Sequence, residues 1–360
     1  MMRPAMPLPG DFVAEVLDQS ATGLSEHAAV VQMERTPELR DRFGQRSRES
    51  LSADTRTRLS FLADAVALGE PALFTAQIAW TRAALAARHV PLDHLRDNLS
   101  ILCELMRDRL PAGVADSAVE IVAGAIGMLD APAHIAPSVI EGDTPFHRLA
   151  RSYLLAMLEG DRAGACSLLA AAIRSGTDVR DIYERVIQPA HIEIGRMWHL
   201  GELSVAEEHY ATSVAEWVLP QLAQIAPRAA PVHRTLVSTT ADGDSHALGL
   251  RMVTDCFEFA GWRTYFLGAS TPAPDLVQAV YDQKADLLAL SASIGCHIRT
   301  LRSMIARLRA EPEVRDIPVI VGGEPFNVVP NLWRKVGADG SARSATEAVA
   351  LGNRLVDHRS

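Results

Sequence analysis

From residue 236 onward, short apolar runs alternate with helical stretches, and this alternation constrains the fold more tightly than any other feature of the chain. The strand-like runs lie at 236–240, 264–267, 287–290, 318–321 and 338–341. Helical patterns lie between them at 247–260, 274–282, 298–309 and 328–336, and a last helix opens at Ala345. Parallel neighbours need a long crossover to bring the chain back to the same end of the sheet, so this pattern folds as a parallel sheet with helices on both faces.

Five strands suit the flavodoxin-like order 2-1-3-4-5, which puts the ligand crevice beyond the carboxyl ends of strands one and three. The loops that matter are then 241–249 and 291–296, with the Gly322-Gly323 pair beside them. The first loop carries Asp244-Ser245-His246, followed by Gly249. A histidine at the crevice mouth can bind a metal or act as a base. A carboxylate two residues earlier can accept from one ring nitrogen, which fixes the tautomer and raises the basicity of the other. Gly249 lets a bulky ligand approach the start of the next helix. Ser291 and Ser293 are small hydrogen-bonding groups, and Gly322 and Gly323 let a flat ring or nucleotide tail pass the backbone.

Proline-bearing stretches at 131–145 and 226–231 divide the chain into a helical region over 1–130, a four-helix bundle over 144–228 and the sheet domain over 232–358. In the first region Leu95, Leu99, Leu102 and Met106 recur at helical spacing, whereas before about residue 50 the pattern weakens and a mobile arm is expected. Arg35, Arg40, Arg42, Arg46, Arg48, Arg56 and Arg58, interleaved with acids, read as a solvated helical face. In the bundle, Thr144-Pro145 opens one helix, and Ser204 with Glu207 forms a capping box on the last. Trp198-His199 closes one bundle helix and Glu208-His209 opens the next, so antiparallel packing can bring all four over one site. A carboxylate-bridged metal site would want Glu-x-x-His, but Ala206 stands where that glutamate belongs.

A formal net charge of −9 argues against a general nucleic-acid binder. Four dispersed cysteines read as reduced thiols of a cytoplasmic protein. Residues 1–10 lack a signal-peptide run, and no apolar stretch reaches the length of a membrane span.

D-x-H-x-x-G, then S-x-S, then G-G, in this order on this fold, resembles the Rossmann-like cobalamin-binding domain shared by methionine synthase, corrinoid carriers, adenosylcobalamin mutases and light-sensing regulators. The resemblance implies that His246 displaces the cofactor's benzimidazole from cobalt as lower axial ligand, with Asp244 as its partner. It implies too that Ser291, Ser293, Gly322 and Gly323 line the pocket for the detached tail. The W-x9-E-H pattern of Trp198, Glu208 and His209 resembles the bundle of CarH-type cobalamin photoreceptors. There the tryptophan covers an upper adenosyl group, the Glu-His pair helps hold it, and the histidine matching His199 binds cobalt after light removes that group. The resemblance implies a non-enzymatic, adenosylcobalamin-binding light sensor that changes its homo-oligomeric assembly for a downstream protein partner. Residues 1–130 lack a winged helix-turn-helix, so no direct DNA binding is expected. The layout also resembles photocobilins, which implies biliverdin as a second chromophore. The main alternative is a corrinoid carrier for a methyltransferase, which must expose its upper cobalt face. A mutase subunit would need a substrate barrel, and a phosphorelay receiver would need a lysine where Ser341 and Ala342 stand.

Overall fold

The computed structural model describes residues 9–39, 44–131 and 136–358. Most of the N-terminal stretch read above for a leader, together with Arg40 and Arg42, lies outside these residues. The described residues fall into two compact units, divided after Ile135.

The first unit is helical: α1 (Gly10–Arg35), α2 (Ser47–Leu68), α3 (Pro71–Ala87), α4 (Asp93–Arg109) and α5 (Ala112–Gly127). The weak periodicity before residue 50 is nonetheless a helix of 26 residues, which corrects the mobile-arm expectation over 10–35. Its inner face joins Leu17 and Leu24 to small or polar residues, Ala14, Ser25, Ala28, Ala29 and Gln32, which pack closely but give little apolar contrast. A buried polar network ties three of these helices. Asn98 donates to Gln32 (2.9 Å) and Thr55 (3.0 Å), and the half-buried Arg58 donates to Asn98 (2.9 Å). Arg58 therefore departs from the solvated face expected of it.

The second unit begins with the bundle: α6 (Pro145–Leu158), α7 (Arg162–Arg174), α8 (Val179–Ile182), a π-helical turn (Tyr183–Ile187), α9 (Gln188–His199) and α10 (Val205–Ile225). The π turn runs without interruption from α8 into α9. Its cause is legible in Pro189, which has no N–H for the carbonyl four residues back, so the preceding turn opens and Gln188 N–H bonds Tyr183 O instead. Thr144 caps α6 and the Ser204–Glu207 capping box opens α10, as the sequence implied.

The sheet follows, with β1 (Thr235–Thr240), β2 (Arg263–Phe266), β3 (Leu287–Ser291), β4 (Val319–Gly322) and β5 (Gly340–Ser341), all parallel in the order β2-β1-β3-β4-β5. That is the expected switch point, between β1 and β3. The intervening helices are α11 (Leu248–Phe259), α12 (Ala273–Asp282), α13 (Ile298–Ala310), α14 (Glu324–Val328) and α15 (Leu332–Lys335), and α16 (Ala345–Asp357) closes the chain. The helix expected over 328–336 is split, and its first part starts directly after Gly323.

Bundle and sheet share one core. Met252, Cys256 and Phe259 of α11 and Ala345 of α16 join the bundle's buried residues in a single apolar cluster. Tyr183 reinforces the join, donating to Asp255 of α11 (3.2 Å), and Asp255 also accepts from Arg251 (2.9 Å). No helix among the described residues is long and apolar enough to cross a membrane.

Candidate functional site

The loop after β1 is held from several sides, and the effect is to fix one imidazole. Asp244 is fully buried, and its Oδ1 accepts from both the His246 backbone N–H (3.0 Å) and the ring Nδ1 (2.7 Å). Its Oδ2 accepts from the Ser293 N–H in the loop after β3 (2.6 Å). Burial pushes the Asp244 carboxyl upward, but the hydrogen bonds from His246 and Ser293 outweigh it and hold it below its ordinary range. The hydrogen bond to Asp244 raises the His246 pKa against an opposing effect of burial, and the charges of Asp244 and Glu208 add to the rise. With Nδ1 engaged, Nε2 is the nitrogen His246 presents, on a side chain 56% exposed.

A second brace comes from the loop after β2. Ser270 adopts φ +55°, where a residue with a Cβ is strained. Its N–H donates to Thr240 (2.9 Å), and its hydroxyl accepts from Gly243 N–H and donates to Asp242, both at 2.8 Å. These bonds fix the stretch that leads into Asp244 and compensate the strain. Nothing in the local sequence around His246 points to Ser270, 27 residues from Gly243.

Beside His246 lies a cavity of about 280 Å³. One wall is the sheet face at the β3 and β4 ends, including Ser291 and Gly322; another is α11, with Gly249, Leu250 and Val253; α16 contributes Ala345 and Ala348. The π turn and α9 add Tyr183, Glu184, Gln188 and Ile192, none of which sequence reading singled out. Glu184 is anchored where it stands, accepting from the Thr346 N–H (2.7 Å) at the start of α16.

The expected site residues fall into two groups. Asp244, His246, Gly249, Ser291, Ser293, Gly322 and Gly323 gather at the mouth of the switch point as anticipated. Within that group the roles differ. The Ser293 hydroxyl faces the His246 carbonyl (3.4 Å), so it braces the loop. A Cβ on Gly323, which has φ +113°, would stand 2.0 Å from the Ala292 carbonyl, so this glycine is required by the fold itself. Gly249 has open space where a Cβ would go, and Ser291 Oγ is buried with no hydrogen-bond partner. The second group sits at the bundle's α9–α10 connection. Trp198 and His199 are half-buried at the end of α9. Glu208 is half-buried near the start of α10, while His209 is 74% exposed and 3.6 Å from Glu208. Of these four, Glu208 is the one whose charge acts on His246.

The arrangement suits a corrin. A lone oriented imidazole matches a metal that brings its other ligands in a macrocycle, and no cluster of three or more His, Cys, Asp or Glu competes for metal among the described residues. The neighbouring slot, with its orphaned hydroxyl and the room opposite Gly249, accommodates a flat appendage.

Comparison with known proteins points to the same class of cofactor. Residues 234–350 match the family model described as B12 binding domain, and residues 149–222 match a second model of the same description. Dimethylamine corrinoid protein 1 of Methanosarcina acetivorans is 26% identical over 182 residues, which are 50% of this chain and 84% of that protein. A corrinoid protein of Desulfitobacterium hafniense is 27% identical over 207 residues, 56% of this chain and 94% of the relative. The solved monomethylamine corrinoid protein of Methanosarcina barkeri aligns with a TM-score of 0.49 at 23% identity, over 58% of this chain and 98% of its own. Over residues 149–222 and 234–350, in its bundle and its sheet, the chain is thus similar to cobalamin-binding proteins.

Proposed function

We propose that the chain is a corrinoid carrier, holding cobalamin with His246 beneath the cobalt and the displaced nucleotide tail in the adjoining slot, and presenting the upper face to a methyltransferase. The observation that carries this reading is the Asp244–His246 pair, a ring fixed at 2.7 Å by a carboxylate that two loops hold in place. Bound cobalamin supplies a metal centre able to accept and release a methyl group. The chain's own residues supply the rest. Asp244 sets the His246 tautomer and directs Nε2 outward, and Ser291 offers a hydroxyl to the tail. Relatives that match about half of this chain are named dimethylamine corrinoid proteins, which supports the carrier over the light sensor that the bundle motif first suggested.

A specific observation keeps light sensing as a second reading. Glu208, at the start of α10, lies near enough to His246 for its charge to raise the His246 pKa. In that reading the chain binds adenosylcobalamin, Trp198 covers the adenosyl group with Glu208 and His209, and His199 takes the vacated position after illumination. A shift of that helix then alters a homo-oligomeric interface. Biliverdin gains no support from the N-terminal unit, where Arg35, Arg58 and Arg96 engage Glu104, Asn98 and Asp130.

One experiment separates the two. The protein is loaded with methylcobalamin or adenosylcobalamin, and absorbance is followed before and after green light and during incubation with a methyl acceptor and its methyltransferase. Methyl transfer with no lasting light response supports the carrier. A persistent bis-histidine spectrum that disappears in His199→Ala contradicts it and supports the sensor.

A further inference from the structure

We infer that the slot beside His246 selects among corrinoids by their lower base, accepting tails that end in an apolar aromatic ring, a benzimidazole or a phenol, over tails that end in a purine. The inference rests on the cobalamin-binding reading and adds which members of the cofactor class this chain takes.

The strand register gives the slot two levels. Ala289 pairs with Ile320, and Ser291 pairs with Gly322 two residues nearer the carboxyl ends. Side chains two residues apart share a face of a sheet, so all four positions look toward the same side. Ala289 and Ile320 share their buried cluster with Leu250 of α11 and Ala348 of α16, so that side is the one these two helices cover. The inner level is therefore apolar, walled by Ala289, Ile320, Leu250 and Ala348, each no more than 6% exposed. The outer level carries the unpartnered Ser291 hydroxyl, and the loops beyond the strand ends add Asn327, Arg343 and Ser344 at the mouth.

A corrinoid tail is itself two-level, with a charged phosphate and ribose leading to a flat base. A phosphate cannot be carried into an apolar floor without losing its hydration, so the base occupies the inner level and the sugar-phosphate stays at the mouth. Benzimidazole and adenine share an imidazole ring, whose freed nitrogen Ser291 Oγ can serve equally in either. They differ in the six-membered ring. In benzimidazole it is hydrocarbon and matches the floor. In adenine it carries two ring nitrogens and an exocyclic amine, which would lose water and find carbon. Each unpartnered polar group costs enough to lower affinity about tenfold. A purine also leaves cobalt more readily than a benzimidazole does, a difference that works against the expected order and so makes the test a stringent one.

The test is a spectroscopic titration of the full chain with four corrinoids: benzimidazolyl, adeninyl and phenolyl cobamides, and tail-less cobinamide. The benzimidazolyl and phenolyl forms are expected to bind at least about tenfold tighter than the adeninyl form. Ser291→Ala should weaken the benzimidazolyl form and leave the phenolyl form, which has no ring nitrogen, unchanged. Ala348→Ser, with folding checked by circular dichroism, should narrow the gap by giving the purine a partner. Equal affinity for the benzimidazolyl and adeninyl forms overturns the inference, as does a purine preference that Gln188→Leu abolishes, since a bundle amide would then be reading the base. Cobinamide binding as tightly as all three tailed forms also overturns it, by showing that no tail enters the slot. If no corrinoid binds at all, the failure lies with the cobalamin-binding reading itself.

Discussion

At the scale of single residues, the chemistry hangs on a carboxylate buried so that it can hold an imidazole. His246 must offer a lone pair at Nε2, which the protonated ring lacks. In the proposed complex the proton competes with cobalt for that lone pair, so ligation is unopposed above the raised pKa of the free ring and weakens progressively as pH falls below it. Asp244→Asn removes the charge that helps raise the pKa and leaves at most a weaker amide acceptor for the ring, while burial still lowers it. We expect the His246 titration, followed by NMR in the cobalamin-free protein, to move to lower pH, and cobalamin affinity at neutral pH to fall about 10- to 100-fold through loss of ring orientation. A titration that does not move would show that Asp244 does not control the ring. Both residues were legible in the sequence, because D-x-H is a local pattern and its place after the first strand gives it meaning. The braces were not. Ser270 and the Ser293 backbone reach this loop from 27 and 49 residues away, and only the sheet order brings them there.

At the scale of elements, the strands were the most readable part. Parallel strands covered on both faces are runs of apolar residues, and β3, Leu287–Ser291, is buried throughout. Helix α1 was harder, since alanines make up much of its inner face, and the split of α14 from α15 falls at Pro330 and Asn331, the latter with a left-handed backbone of φ +61°. The π turn was invisible as such, although Pro189 accounts for it afterwards. That turn matters because it places Tyr183 and Glu184 against the slot and ties the bundle to α11 through Asp255. Burial raises the pKa of both partners in the Tyr183–Asp255 bond, with Arg251 opposing the rise on Asp255. Tyr183→Phe keeps the ring packing on Phe259 but leaves the buried carboxyl with one donor fewer. We expect a loss of about 1–2 kcal/mol in urea unfolding of the cobalamin-free protein. An unchanged midpoint would mean that the bond does not help dock the bundle on the sheet.

At the scale of the whole molecule, cofactor binding belongs to the second unit, where bundle and sheet share a core, and its layout followed from strand–helix alternation and helix-start signals. The role of the first unit was not legible, because its polar residues, Gln32, Thr55 and Asn98 among them, are turned inward to join its own helices. The second unit assembles the site from two loops 49 residues apart and a bundle preceding both, and all of it converges on His246, whose bond to cobalt is the central proposal. Electron paramagnetic resonance of the full chain loaded with cob(II)alamin, after histidine alone has been labelled with 15N, reads that bond directly. The account predicts that the three-line splitting from an axial 14N becomes two lines on labelling, and that the two-line pattern is absent in His246→Ala. A three-line pattern that persists in the labelled protein would mean that the cofactor's own base still holds the cobalt, and would contradict the account.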